Sequence, residues 1–213
     1  MTWKEIDDPL VLVPVGSCEQ HGPHLPLHTD TVIATGLAHD LAARRGDCVV
    51  APAITVSASG EHAGFPGTLS VGTDVMAGIV IELARSADWA HGVVFVNGHG
   101  GNASAMKRAA LVFEREQREV LVWWPRLGDG DPHAGHTETS LMLALAPDEV
   151  RLEQAEAGPT PAMADLIRCG VRPLSENGVL GDPTGATADH GVELFRRLAD
   201  HLAAAVADWA GPP

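Results

Sequence analysis

Hydrophobic residues along the chain fall into two kinds of segment. Four short valine-rich runs have the length and near-continuous apolar character of strands buried on both faces. They cover residues 10–16, 48–56, 92–98 and 119–125. Longer segments between them repeat apolar residues at helical spacing and begin at Thr29, Thr73 and Asn102, which are residue types that favour a helix N-cap. Strands alternating with helices predict a mostly parallel sheet covered on both faces, a three-layer α/β/α sandwich.

The C-terminal part of the chain predicts two more helices, at residues 136–145 and 187–209. The second contains the alanine-rich "LADHLAAAVADW", which we expect to pack on the sheet. The segment between them is rich in glycine and proline and predicts an irregular excursion with one short helix. A chain of 213 residues without repeats or low-complexity tracts predicts a single domain over residues 1–213.

Charge and composition narrow the range of partners. Lysine and arginine number 14 against 28 acidic residues, for a formal net charge of −14, which argues against nucleic acid and anionic lipid as partners. No apolar run approaches the roughly 20 residues needed to span a bilayer, and the first residues lack signal-peptide features. We therefore expect a cytoplasmic protein without a membrane partner.

The chain has three widely spaced cysteines, Cys18, Cys48 and Cys169. Because their number is odd and their spacing wide, we expect free thiols.

Eleven histidines and no tyrosine are an unusual balance, and many of the histidines follow predicted strands. Histidines and carboxylates after the four strands are Glu19 and His21, then Glu61 and His62, then His99, then His133, His136 and Glu138. Open α/β sheets bind ligands in the crevice outside the carboxyl ends of their strands. The sequence therefore predicts that these groups converge on one pocket.

The stretch "EQHGPHLPLHTD" offers two ligands from one short segment. Side chains two residues apart in extended chain point the same way, so Glu19 and His21 can face one ion. Asp30 enters from the first turn of the next helix, and Pro23 and Pro26 stiffen the loop between. Taken alone, the stretch is explained equally well as a solvated polar loop.

Two later stretches carry further candidates. In "VNGHGGNAS" the glycines let the backbone approach a ligand, and His99 is the only long side chain of the turn. A phosphate loop is the less favoured alternative because the Walker lysine and hydroxyl residue are absent. In "DPHAGHTETS" we expect His133 to act as a base and Glu138 as a ligand. Glu138 can also be explained as an acidic residue favoured by the dipole at a helix start.

Histidine and carboxylate ligands without thiolate suit Zn²⁺, Fe²⁺ or Mn²⁺. Five such ligands, with Asp30 able to bridge, predict two divalent ions rather than one. Two ions about 3.5–4 Å apart can activate a shared water and polarise an amide carbonyl. The sequence therefore predicts hydrolysis of a C–N bond.

At these residues the chain resembles the creatininase (creatinine amidohydrolase) family. The matching stretches are "GSCEQHGPHLPLHTD", "SGEHAGFPGTLS", "VNGHGGN", "HAGHTETS" and "GVLGDPTGAT", in order along nearly the whole chain. The resemblance implies a three-layer α/β enzyme, commonly a homo-oligomer, with a binuclear metal site. It implies that Glu19 and His99 bind one metal, that His21 binds the other, and that Asp30 bridges them.

One position departs from the family pattern. In creatininase proper the fifth ligand is a glutamate two residues after the "NGH" histidine, and that position is Gly101 here. The "NGHGGN" branch of the family implies Glu138 as the replacement, with His133 as the proton carrier beside the metals. His28 is a second departure, since an acidic or small residue is more usual there.

The departure at Gly101 argues against creatinine as the substrate. The combination of motifs most resembles the mycofactocin-system peptidase branch, which implies that the enzyme releases a modified C-terminal Val-Tyr dipeptide from a processed ribosomal precursor peptide. One alternative is a small-molecule cyclic amidohydrolase or a formamide deformylase. Another is a metal-binding protein without turnover.

The remaining candidates have supporting roles. Glu61, His62 and Trp124 are expected to bind substrate, although a structural hydrogen-bonding role for the first two stays open. His24 and Asn97 are expected to support the metal ligands from behind rather than bind metal.

Overall fold

The computed structural model describes residues 1–126 and 130–212 and shows the predicted sheet. Its strands are β1 (Leu10–Val15), β2 (Cys48–Val50), β3 (Gly92–Asn97) and β4 (Val120–Trp123). They pair in parallel in the order β2-β1-β3-β4. Chain connections leave β1 and β3 in opposite directions across the sheet, so the topological switch point lies between these two neighbours.

Helices cover both faces of this sheet. They are α1 (Thr29–Arg45), α2 (Gly72–Ser86), α3 (Ala103–Glu116), α4 (His136–Leu145), α5 (Met163–Cys169) and α6 (Ala188–Ala210). Leu10 and Leu12 of β1 pack with α1, α4 and α6, whereas Val11 and Val13 pack with α2 and α3. This alternation along one strand separates two cores, which confirms the three-layer α/β/α sandwich.

Strand β2 is shorter than the predicted run over 48–56. Ladder pairing ends at Val50, and Ala51 N still donates to Leu12 O at 2.8 Å. Pro52 has no N–H to donate, and the chain rejoins β1 only where Ile54 N donates to Pro14 O at 2.9 Å. The proline therefore turns the second half of the predicted strand into a loop that runs towards the candidate site.

The predicted N-caps at Thr29 and Thr73 are wrong, whereas Asn102 is the N-cap residue of α3. Thr29 is the first helical residue of α1, and its Oγ1 donates to Pro26 O at 2.8 Å. Thr73 lies inside α2, which begins one residue earlier. Asn102 does precede α3, but its side chain makes no cap bond because it connects two loops of the site.

The irregular excursion contains α5, the short helix expected there. Among the helices of residues 1–126 and 130–212, none is long and apolar enough to cross a bilayer. Cys18, Cys48 and Cys169 are free thiols, as the sequence predicts.

Candidate metal centre

The candidate centre lies beyond the carboxyl ends of β1 and β3, at the switch point. Glu19 and His21 follow β1, His99 follows β3, and Asp30 enters from the first turn of α1. All four side chains are buried, and each residue is at most 4% exposed. The structure therefore brings together four of the five predicted ligands in a buried pocket between neighbouring strands.

Asp30 lies between two imidazoles. Its Oδ1 is 3.3 Å from His21 Nε2, while its Oδ2 is 3.0 Å from His99 Nδ1 and accepts a hydrogen bond from Ser17 Oγ at 2.8 Å. Glu138, on α4, completes the group from the other side, with Oε2 at 4.0 Å from His21 Nε2. Because its two oxygens face different histidines, Asp30 has the orientation that a bridging carboxylate needs.

Glu19 is fully buried, and neither of its side-chain oxygens has a hydrogen-bond partner of good geometry within the described residues. Its Oε1 lies 3.1 Å from His99 Nδ1 and 3.3 Å from His62 Nε2, in poor alignment with both. Burying a carboxylate without compensation costs several kcal/mol, by the order of magnitude for charged groups in proteins. A cation held between Glu19 and the histidines removes that cost, so the donor set fits a metal.

Backbone carbonyls fix the ring orientation of the two central histidines. Nδ1 of His21 donates to Glu19 O at 3.0 Å, which leaves Nε2 facing Asp30. Nε2 of His99 donates to Ala58 O at 3.0 Å, which leaves Nδ1 facing Glu19 and Asp30. A hydrogen bond on the far nitrogen is the arrangement that orients a metal-binding imidazole.

Buried amides support the His99 turn. Asn97 Nδ2 donates to His99 O at 2.7 Å, and Asn102 Nδ2 donates to Asn97 Oδ1 at 3.0 Å. Asn102 Oδ1 in turn accepts from Ala58 N at 3.1 Å. Asn97 thus lies behind the predicted ligand His99, in the supporting position expected from the sequence.

His24 is buried and lies next to α4. Its Nε2 lies 2.8 Å from Thr139 Oγ1, one residue beyond Glu138. Burial, with a smaller contribution from the positive charge on His21, lowers the pKa of His24 to about 4. A neutral His24 therefore connects the β1 loop to the helix that carries Glu138.

Glu61 fills the space that a side chain at Gly101 would need. A Cβ built on Gly101 would lie 1.8 Å from Glu61 Oε1 and 2.6 Å from Ala58 O. Glu61 Oε1 is 3.3 Å from His99 Nε2, the nitrogen that faces away from Glu19. Glu61 therefore stands behind His99, and its side chain, about a quarter exposed, also reaches the edge of the pocket.

His133 lies between the carboxylates of Glu19 and Glu138 and the rings of His21 and His62. Its Nδ1 is 4.0 Å from Glu19 Oε1 and 3.9 Å from Glu138 Oε2, and its ring stands 4.4 Å from that of His21 and 4.3 Å from that of His62. Burial, followed by the charge on His21, lowers the pKa of His133 to about 4. A neutral imidazole has one ring nitrogen with a lone pair, which is what a proton acceptor needs.

The carboxylates of the cluster favour protonation of two of its histidines. Burial lowers the pKa of His21, but Asp30 above all raises it, to a net value of about 9. Glu19 and Asp30 likewise raise the pKa of His99 well above its ordinary value despite burial. Burial opposes, but His21 and His99 together hold the pKa of Asp30 well below its ordinary value. Divalent ions supply the same positive charge without those protons.

Two candidates from the sequence lie elsewhere. Trp124 packs against the core on the α2 and α3 face and lines a groove with Lys107, Phe113 and Arg118. His28 is about half exposed, and its Nε2 lies 2.9 Å from Glu149 Oε2. The proposed substrate contact of Trp124 stays a prediction.

Residues that the sequence does not single out also contact the cluster, among them Ser17 and Gln20. Ser17 donates to the Asp30 carboxylate, and the Gln20 amide lies between His62 and His133. The only sequence signal for Gln20 is its position between two predicted ligands. Alternation along extended chain predicts that it points away from them, but the chain turns there.

Comparison with known proteins identifies the family. The family model for creatinine amidohydrolase matches residues 1–206. A mycofactocin precursor peptide peptidase of Mycobacterium tuberculosis is 46% identical, over 96% of this chain and 87% of that protein. The protein of the same description from Mycolicibacterium smegmatis is 46% identical, over 94% and 85%. A creatinine amidohydrolase of Pseudomonas putida is 32% identical, over 72% and 73%.

Solved structures show the same fold. A creatininase variant described as Zn-Zn type superposes with a TM-score of 0.85 at 25% identity, covering 100% of this chain and 97% of that one. A manganese form of creatininase gives a TM-score of 0.83 at 25% identity, with the same coverage. The matched family model, the close relatives and the shared fold together place the chain in the creatininase family.

Proposed function

We propose that this chain is a metal-dependent peptidase that releases the modified C-terminal Val-Tyr dipeptide from the processed mycofactocin precursor peptide. The observation that carries a metal hydrolase is Glu19, a buried carboxylate without a well-directed hydrogen bond among the described residues, facing histidines. The observation that favours this substrate is 46% identity over nearly the whole chain to two mycofactocin precursor peptide peptidases.

The geometry supports a division of the ligands between two ions. Glu19 and His99 would hold one ion, and His21 and Glu138 would hold the other. Asp30 would bridge them, because its Oδ1 faces His21 and its Oδ2 faces His99. The donor set suits Zn²⁺, Fe²⁺ or Mn²⁺.

Two bound ions would polarise the scissile carbonyl and lower the pKa of the attacking water. His133 would accept the proton of that water at Nδ1 and deliver it to the leaving amine, since Nδ1 is the ring nitrogen that faces Glu19 and Glu138. Burial of the cluster excludes bulk water, which strengthens every charge interaction within it. Glu61, which reaches the pocket edge, is placed to contact the peptide.

A small-molecule amidohydrolase is the second candidate, favoured by 32% identity to a creatinine amidohydrolase. Gly101 weighs against creatinine itself. Glu61 already occupies the space beside Gly101, so a ligand side chain at that position has no room.

Incubation of the zinc-, iron- or manganese-loaded full chain with the processed precursor peptide tests the proposal. We expect mass spectrometry to detect release of the C-terminal dipeptide and no conversion of creatinine.

His133→Ala should keep its metal and lose about 100- to 10,000-fold in rate, the range for loss of a general acid–base group. Conversion of creatinine without dipeptide release favours the second candidate. Unchanged cleavage by His133→Ala at full metal content removes His133 from the mechanism.

We also propose that the chain works as a homo-oligomer. Trp3, Trp89, Ile167 and Val192 are each more than half exposed, and association would bury apolar side chains of this kind. Light scattering should give a multiple of the chain mass, and a monomer at assay concentration contradicts this proposal.

A further inference from the structure

The Gln20 side chain has one possible orientation. Its Oε1 accepts a hydrogen bond from Gly22 N at 2.9 Å, and its Nε2 donates to Gly178 O at 2.9 Å. Exchanging the amide oxygen and nitrogen would place a donor against an N–H and an acceptor against a carbonyl. The nitrogen therefore points towards the histidine pair, and its second hydrogen is free for His62.

This orientation determines which nitrogen of His62 carries the proton. Gln20 Nε2 lies 3.0 Å from His62 Nδ1, so Nδ1 accepts the second amide hydrogen and has no proton of its own. A ring whose Nδ1 accepts a hydrogen bond carries at most one proton, so His62 is neutral. The single proton is therefore on Nε2, which faces Glu19 Oε1 at 3.3 Å.

The backbone of Gln20 determines the proton position on His133. Nε2 of His133 lies 2.8 Å from Gln20 O, and a carbonyl can only accept, so Nε2 carries the proton. The 3.1 Å contact between Gln20 Nε2 and His133 Nε2 then joins two donors and is not a hydrogen bond. In the neutral ring Nδ1 is therefore the nitrogen without a proton, and it faces the Glu19 and Glu138 carboxylates.

We propose that Gln20 is a positioning residue that fixes both tautomers, placing the His62 proton on the nitrogen that faces Glu19 and leaving His133 Nδ1 as the free base of the cluster. With Nδ1 accepting from Gln20 and Nε2 protonated, His62 has no nitrogen free to bind metal. His133 presents a lone pair where the reaction needs a proton acceptor. The tautomer assignment stands on the geometry alone, and only its effect on turnover rests on the proposed function.

Histidine tautomers can be read directly by long-range ¹H–¹⁵N correlation spectra of the full chain labelled with ¹⁵N-histidine, both metal-free and zinc-loaded. We expect both His62 and His133 to carry their proton on Nε2, with signals assigned from His62→Gln and His133→Gln. Gln20→Met removes the donor to His62 Nδ1, so His62 should become a mixture of tautomers. His133 should keep its tautomer, because its acceptor is a backbone carbonyl. Gln20→Glu, a near isostere, should move the His62 proton to Nδ1.

A matched control separates this role from a structural one. Gln20 also holds the loop at Gly178, and Ser175 holds the same loop by donating to Val179 O at 2.8 Å without contacting a histidine. Ser175→Ala should therefore loosen the loop and leave both tautomers unchanged. A proton on His62 Nδ1 in the unmodified chain, or an unchanged His62 spectrum in both Gln20 variants, overturns the proposal.

If Gln20 acts only by positioning the histidines, its replacement should change kcat and leave KM almost unchanged. Gln20→Met should lower kcat for peptide cleavage by about 10- to 100-fold, the range for loss of a supporting contact at a metal site, with little change in KM. Ser175→Ala should keep kcat near that of the unmodified chain. An unchanged kcat in Gln20→Met overturns the proposed influence on turnover. If the peptide is not cleaved at all, the proposed function fails while the tautomer result still decides the role of Gln20.

Discussion

Glu19 is the residue at which metal binding can be tested most directly. Glu19→Gln removes the charge that an ion would neutralise and keeps the shape of the side chain. We expect metal analysis to fall from two ions per chain to one or fewer, while Glu153→Gln, an exposed control, keeps both. Zinc at 100 times its dissociation constant stabilises a one-site protein by about 2.7 kcal/mol, and Glu19→Gln should lose that gain for its ion. Retention of two tightly bound ions would rule out Glu19 as a ligand.

Cys48 offers a residue-scale test that is independent of the metal centre. Burial above all, together with the Asp47 carboxylate, raises the pKa of the Cys48 thiol from 9.0 to about 12. Only the thiolate reacts with iodoacetamide, so alkylation of Cys48 at pH 8 should be about 1,000-fold slower in the folded chain than in urea. The raised pKa also means that this group contributes stability below pH 9 and loses it as the pH rises towards 12. Peptide mapping of alkylated Cys48 checks the rate, and equal rates in both states contradict it.

At the residue scale, the sequence predicts groups whose chemistry is visible in the residue type and spacing. Glu19, His21, Asp30 and His99 were expected together because each follows or precedes a predicted strand or helix end. Gln20 could not be expected, because its role depends on a turn that brings its amide between histidines of two other loops. Hydrogen bonds that join Gln20 to histidines of two other loops produce no regular spacing of residues along the chain.

At the scale of elements, the turn after β3 has two adjacent glycines that differ in the space available for a side chain. A Cβ at Gly101 meets Glu61 Oε1 and Ala58 O, whereas a Cβ at Gly100 meets nothing within 4 Å. Gly101→Ala should therefore destabilise the fold by about 1–3 kcal/mol through overpacking, and should displace Glu61 from His99. Gly100→Ala, one residue earlier, is the matched control and should be near neutral. Urea denaturation measures both, and equal stability of the two variants would contradict the assignment of this space to Glu61.

The sequence predicts the positions of the helices better than it predicts how helices and strands begin and end. Apolar periodicity placed α1, α3, α4 and α6 within a few residues, because burial of one face dominates helix formation. The predicted N-cap at Thr29 is wrong, since its side chain bonds to Pro26 O ahead of the helix. Asn102 occupies the N-cap position of α3, but its side chain bonds outside that helix. The predicted strand over 48–56 is longer than β2 because apolar residues continue past Pro52. That proline has no N–H to donate to the neighbouring strand.

At the scale of the whole molecule, the sheet order and the candidate centre are linked. The alternation of strands and helices predicts a parallel sheet, and a parallel sheet brings all carboxyl ends to one edge. That step makes convergence of distant histidines predictable from the sequence. The order β2-β1-β3-β4, which selects the β1–β3 crevice, depends on tertiary packing and is not encoded in any one segment.

The centre joins the β1 loop, the β3 turn, α1 and α4, so metal removal should weaken the whole fold. For a chain of 150–250 residues, 1 kcal/mol corresponds to about 2–4 °C in Tm, so loss of one ion held at 100 times its dissociation constant should lower Tm by about 5–10 °C. Differential scanning fluorimetry with EDTA, then with added Zn²⁺, should show a reversible fall and recovery. Glu19→Gln should respond less to EDTA, because it has already lost its ion. An EDTA-insensitive Tm in a fully metal-loaded chain would show that the ions contribute nothing to holding these four elements together.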